Sequence, residues 1–121
     1  MLLGLRTVVY GVSDLEKAKR WYSEALGITP YFDEAFYVGF NVGGFELGLD
    51  PGASPVKAPS AGVVAYWGVK DIKAEFDRLL SIGAEQHSPI TNVGGKIEVA
   101  TVLDPFGNIF GIIYNPDFKV Q

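Results

Sequence analysis

The chain has 121 residues, 48% of them hydrophobic and 20% charged, which is enough apolar content for one compact domain with a real core. A net charge of −4 and a pI near 4.8 exclude an electrostatic drive toward phosphate backbones or anionic lipid, so neither nucleic acid nor membrane is an expected partner. With no cysteine there is no disulfide, no thiolate metal ligand and no cysteine nucleophile.

Leu5 to Val12 is valine-rich with an aromatic residue, which predicts a strand. The opening MLLGLRTVVYGVSD has no basic region ahead of its apolar run and carries Arg6 inside it. It fits neither a signal peptide nor a membrane span, so a cytoplasmic protein is expected. Ser13-Asp14-Leu15-Glu16 has capping-box spacing, with Ser13 as the predicted cap. The helix that follows has one apolar stripe, Leu15, Ala18, Trp21, Tyr22, Ala25 and Leu26, and Gly27 is placed to end it.

Thr29 to Asp33, Ala35 to Val42 and Phe45 to Leu49 then read as a three-stranded meander turning at Asp33-Glu34 and Gly43-Gly44. The segment PGASPVKAPS, residues 51–60, holds three prolines, which disfavour helix and central strand, and it reads as a connector. The second half repeats the order. Val63 to Val69 is a strand, Asp71 caps a helix striped by Ile72, Phe76, Leu79 and Leu80, Gly83 ends it, and Ala84 to Ile90, Lys96 to Leu103 and Ile109 to Tyr114 are strands. Val12-Ser13-Asp14-Leu15 matches Val69-Lys70-Asp71-Ile72 at a separation of 57 residues, so the chain reads as a duplicated βαβββ unit. Module 1 covers about residues 1–50, the linker about 51–60 and module 2 about 61–116, taken together as one domain spanning 1–121.

Three segments carry a family likeness: VSDLEKAKRWYSEALG (Val12 to Gly27), VKDIKAEFDRLLSIGA (Val69 to Ala84) and DPFGNIFGI (Asp104 to Ile112). On these the chain resembles the vicinal oxygen chelate superfamily, which includes glyoxalase I, extradiol dioxygenases, and the bleomycin and fosfomycin resistance proteins. The resemblance implies an α+β fold in which two βαβββ modules form an open eight-stranded mixed-sheet cup. It also implies a small-molecule ligand and a homodimer, and a divalent metal held by side chains on the first and last strands of each module.

Carried over residue by residue, the four metal positions fall on Thr7, Glu46, Val64 and Gly111. Only Glu46 has a competent donor, because a neutral threonine hydroxyl is weak and valine and glycine offer nothing. His87, the only histidine, sits apart beside Ser88-Pro89, in a different expected strand or in a loop there, and no metal or other cofactor is therefore expected. Strand alternation adds Val9 and Tyr66 to the face of Thr7 and Val64, so the candidate ligand-binding set is Thr7, Val9, Glu46, Val64, Tyr66 and Gly111. Such a pocket is apolar and aromatic with one acid, and suits an aromatic or amphipathic molecule with a cationic or hydrogen-donating group near Glu46.

Two functions remain open on these residues. One is a metal-independent binding protein. The other is a lyase or isomerase of the glyoxalase type acting on small carbonyl or glutathione-adduct substrates, with Glu46 as its catalytic base after desolvation has raised its pKa. Glu46 also reads as a rim carboxylate paired with Arg6 or another cation. Gly94-Gly95, within Val93 to Lys96, reads either as a mobile loop over the pocket or as a hairpin turn.

Overall fold

The computed structural model describes residues 1, 3–52 and 63–118, so most of the expected connector at 51–60 lies outside the described residues. The chain divides into two compact units, Met1–Val56 and Lys57–Gln121. Each is a mixed four-stranded sheet with one helix, and the βαβββ order occurs twice as the sequence implied.

In module 1 the elements are β1 (Thr7–Gly11), α1 (Leu15–Leu26), β2 (Phe32–Glu34), β3 (Tyr37–Val42) and β4 (Phe45–Asp50). The sheet order is β1-β4-β3-β2, with β1 parallel to β4 and the other pairs antiparallel. A parallel pair cannot be joined by a tight turn, so α1, β2 and β3 together form the crossover. The cap of α1 is Asp14 rather than Ser13. Asp14 is the last extended residue (φ −138°), and its carboxylate accepts from the Lys17 amide at 3.1 Å. Gly27 ends the helix in the left-handed conformation (φ 69°) with its N–H on the Ser23 carbonyl.

The stripe of α1 buries Ala18, Trp21, Tyr22 and Ala25, and Tyr22 stacks on Tyr10 of β1 at 5.8 Å. Alternation along β3 and β4 sends Val38, Phe40, Leu47 and Leu49 into the same core, each fully buried. Each contributes on the order of 1.5–3 kcal/mol relative to leaving it exposed. Their alternates, including Tyr37, Gly39, Glu46 and Gly48, face away from the helix. The β2–β3 turn falls at Ala35-Phe36, two residues later than expected, because Glu34 pairs with Tyr37 and only those two residues remain to close the hairpin.

In module 2 the elements are β5 (Tyr66–Gly68), α2 (Ile72–Ser81), β6 (Glu85–Gly94), β7 (Ile97–Leu103) and β8 (Ile109–Tyr114). The order β5-β8-β7-β6 repeats that of module 1, again with one parallel pair, β5 with β8. Asp71 caps α2 by accepting from the Ala74 amide at 3.1 Å. Ile82 closes the helix, and Gly83 follows at φ 108°.

Strand β6 runs through Pro89 to Gly94, well past the expected end at Ile90. Because β6 is the edge strand, the missing proline amide removes no bond that an inner strand would need, and the ladder with β7 absorbs register shifts there. His87 therefore lies in a strand and not in a loop. Gly94 ends β6, paired with Ile97, and Gly95 with Lys96 makes the β6–β7 hairpin turn, both glycines being at positive φ. Among the described residues no helix is long and apolar enough to cross a membrane.

Candidate functional site

In module 1 the helix-free face of the sheet gathers three hydroxyl side chains on one carboxylate. The parallel register sets Thr7 of β1 opposite Glu46 of β4, and the Thr7 hydroxyl donates to Glu46 Oε1 at 2.6 Å. Tyr37 of β3 donates its hydroxyl to the same oxygen at 2.6 Å. Tyr31, in the segment entering β2, donates to Oε2 and is anchored by its own amide on the Gly39 carbonyl at 3.0 Å.

Two strand glycines make this convergence possible. A Cβ at Gly48 would lie 1.8 Å from the Tyr37 hydroxyl, and one at Gly39 would lie 2.8 Å from Glu46 Oε2 and 3.1 Å from the Tyr31 ring. The tyrosines lie over bare backbone to reach the acid. Sequence reasoning placed Thr7 and Glu46 but missed Tyr31 and Tyr37. The signal that could have found them is glycine in strand interiors, which marks a close approach by another group.

Burial by itself would push the Glu46 carboxyl up, but the bonds from Thr7, Tyr31 and Tyr37 outweigh it and hold the carboxyl below its ordinary value of 4.5. The expectation of a raised pKa is thus corrected: desolvation is present, but three hydroxyl donors favour the charged form. The tyrosines move the other way. The bond to Glu46, then burial, push Tyr31 above 10.0, and burial, then the bond to Glu46, do the same for Tyr37.

These directions predict a pH window. Glu46 has a lowered folded pKa, so its share of stability is present above pH 4.5 and is lost as pH falls through the folded value. The tyrosines have raised values, so their share is present below pH 10.0 and is lost as pH rises through the folded values. Urea unfolding of the wild type and Glu46→Gln should differ most between those limits and converge at both ends. A difference that stays constant with pH would refute the assignment.

Arg6 does not neutralise Glu46. Its guanidinium rests on the Leu3 and Leu5 carbonyls at 3.4 and 3.3 Å, and among the described residues it forms no ion pair. Arg6 and Glu46 instead line one cavity of about 160 Å³ with Tyr31, Asn41, Gly44 and Phe45. Val9, on the same strand face as Thr7, remains 45% exposed, and Tyr31 remains 65% exposed, leaving apolar surface next to the polar centre.

Among its described residues module 2 has no such centre. Val64 lies ahead of β5, and Tyr66, two residues on, is the one that pairs with Gly111. Gly111 is not simply vacant. A Cβ there would lie 2.6 Å from the Ala65 carbonyl oxygen and 2.7 Å from the Tyr66 ring, so backbone and aromatic ring already occupy that space. His87 directs Nδ1 to the hydroxyl of buried Thr101 at 2.8 Å.

The metal centre that the likeness implies does not fit these residues. Of its four positions only Glu46 carries a strong donor, and three of the roughly four lone-pair sites of a carboxylate are already taken by hydroxyls. Among the described residues no three histidines, cysteines or acids cluster to hold a metal ion.

The family model described as the glyoxalase/bleomycin resistance protein/dioxygenase superfamily matches residues 4–112, and the chain belongs to that superfamily. No curated protein matches its sequence significantly. Among solved structures it is similar to a glyoxalase-related enzyme from Fulvimarina pelagi, at 23% identity and TM-score 0.76 over 99% of this chain and 94% of that one. A superfamily member from Sphaerobacter thermophilus aligns at 22% identity and TM-score 0.75, covering 95% of this chain and 99% of that one. The fosfomycin resistance protein FosX from Mesorhizobium loti aligns at 15% identity and TM-score 0.74, covering 97% and 96%. At such identities the likeness shows the fold alone.

Proposed function

We propose that the protein is a metal-independent binder of an aromatic or amphipathic small molecule, acting as a cytoplasmic homodimer with both modules in one domain. The observation that carries this reading is the engagement of Glu46 by Thr7, Tyr31 and Tyr37, which satisfies the carboxylate with hydroxyl donors in place of a metal. A cavity of about 160 Å³ is smaller than the roughly 300–1,000 Å³ of whole-ligand pockets. It takes a head group, and the body of the ligand lies over Tyr31 and Val9. The head group donates to the remaining acceptor site of Glu46 and accepts from Arg6. The fosfomycin resistance protein that shares the fold, named for a small organic antibiotic, accords with a small-molecule ligand.

Purified protein should carry no stoichiometric metal, and adding Ni²⁺, Zn²⁺, Mn²⁺ or Fe²⁺ should leave its melting temperature unchanged. A site-bound ion at a hundred times its Kd would stabilise the fold by about 2.7 kcal/mol, which is readily seen. A near-equivalent of bound metal would overturn the reading. A stability screen against metabolites and antibiotics then identifies the ligand, with Glu46→Gln as the variant that loses the response. Light scattering of the purified protein tests the dimer.

A further inference from the structure

A cavity of about 450 Å³ in module 2 lies on the opposite face of its sheet from Gly111. Its lining includes Lys70, Ile72, Lys73, Ile90, Glu98 and Tyr114. Helix α2 packs on β6, β7 and β8, burying Ile72, Phe76 and Leu79 against Ala100, Val102, Phe110 and Ile112. Two-residue alternation from Ala100 and Ile112 puts Glu98 and Tyr114 on that helix-covered face, where they pair directly across the β7–β8 ladder. Thr101 and Gly111 point the other way.

The charges in this cavity are incompletely used. Lys73 is paired with Asp77 at 2.8 Å, and Asp71 caps the helix. Glu98 is half-buried, Lys70 is exposed, and among the described residues neither forms an ion pair or a side-chain hydrogen bond, with each other or with another group. Ile72 and Ile90 supply apolar wall to the same cavity. A simple anion entering here would meet Glu98, and a simple cation would meet Lys70. A molecule carrying both charges satisfies both residues at once, since each charge gains a charge-assisted hydrogen bond. At about 450 Å³ the space falls inside the roughly 300–1,000 Å³ range of whole-ligand sites.

We propose that the cavity under α2 in module 2 is a second ligand site, which binds a small zwitterion of the α-amino acid type. Its ammonium sits against Glu98 and the Tyr114 hydroxyl, its carboxylate against Lys70, and its apolar side chain on Ile72 and Ile90. The site lies within module 2 and does not depend on the Glu46 cluster.

Titration calorimetry with free leucine and phenylalanine tests this on the full chain. At least one should bind saturably at one equivalent per chain. N-acetyl-leucine, which lacks the ammonium, and leucinamide, which lacks the carboxylate, should each bind about tenfold or more weaker, the scale of one charge-assisted hydrogen bond. Glu98→Gln and Lys70→Gln, both surface-accessible and near-isosteric, should each cause a loss of similar size while retaining the wild-type melting temperature without ligand. Absence of saturable binding by either amino acid would overturn the proposal. Equal binding of the blocked analogues, or binding unaffected by both substitutions, would overturn it as well.

Discussion

Asp104→Ala is expected to lower the unfolding free energy by about 2–4 kcal/mol. Asp104 is buried, at 4% exposure, in the β7–β8 turn. Its Oδ1 accepts from the amides of Phe106 at 2.9 Å and Asn108 at 2.8 Å, and its Oδ2 accepts from Asn108 Nδ2 at 2.9 Å. Pro105 has no amide to satisfy, and Gly107 supplies the positive φ of 87° that closes the turn. Alanine removes the acceptor from three donors on half-buried residues, each costing toward the lower end of the roughly 1–3 kcal/mol of a fully buried unpaired donor.

The turn also sets the register of β8, which delivers Phe110 and Ile112 to the core and stacks Phe110 on Trp67 at 6.5 Å. Urea unfolding followed by tryptophan fluorescence measures the loss, and Asp104→Asn, which keeps one acceptor oxygen, should cost less. A loss below about 1 kcal/mol for alanine would mean that the backbone bonds of the turn hold it without the carboxylate.

Gly48→Ala is expected to dismantle the Glu46 cluster without touching any of its members. The new methyl carbon would stand 1.8 Å from the Tyr37 hydroxyl, so the ring must swing off the sheet and give up its bond to Glu46. Overpacking of this kind costs about 1–3 kcal/mol. The cluster also leaves a spectroscopic mark. Tyr37 titrates above 10.0 in the intact site through burial and its bond to Glu46, and in Gly48→Ala its titration should return toward the ordinary value. Tyrosine ionisation followed by ultraviolet difference spectra reads this directly, and Tyr37→Phe identifies the signal. If Gly48→Ala retained both the stability and the raised tyrosine titration, the glycine would not be what admits Tyr37.

Much of the fold was legible in the residues because its signals are local. The apolar stripe of α1, the Asp71 cap, the Gly43-Gly44 turn and the run from Ile109 to Tyr114 each depend on a few neighbouring side chains and on one structural period. The deviations came where long-range pairing decided. A helix cap at Asp14 instead of Ser13 depends on where β1 releases the chain. The passage of β6 through Pro89 depends on β6 being the edge strand, which no window of sequence around Pro89 records.

The site divides along the same line. Residue identities alone determined that Thr7, Val64 and Gly111 are poor metal donors and that Glu46 stands apart among the four positions, because donor chemistry belongs to the side chain. Tertiary structure decided what surrounds Glu46. Tyr31 and Tyr37 arrive from 15 and 9 residues away in sequence, across glycines whose significance appears only once strands are in register. The direction of the Glu46 pKa was likewise beyond sequence, since it is set by a contest between burial and three hydrogen bonds. Pattern along the chain states which face a residue occupies, but only the pairing of strands brings hydroxyls within hydrogen-bonding distance of a carboxylate.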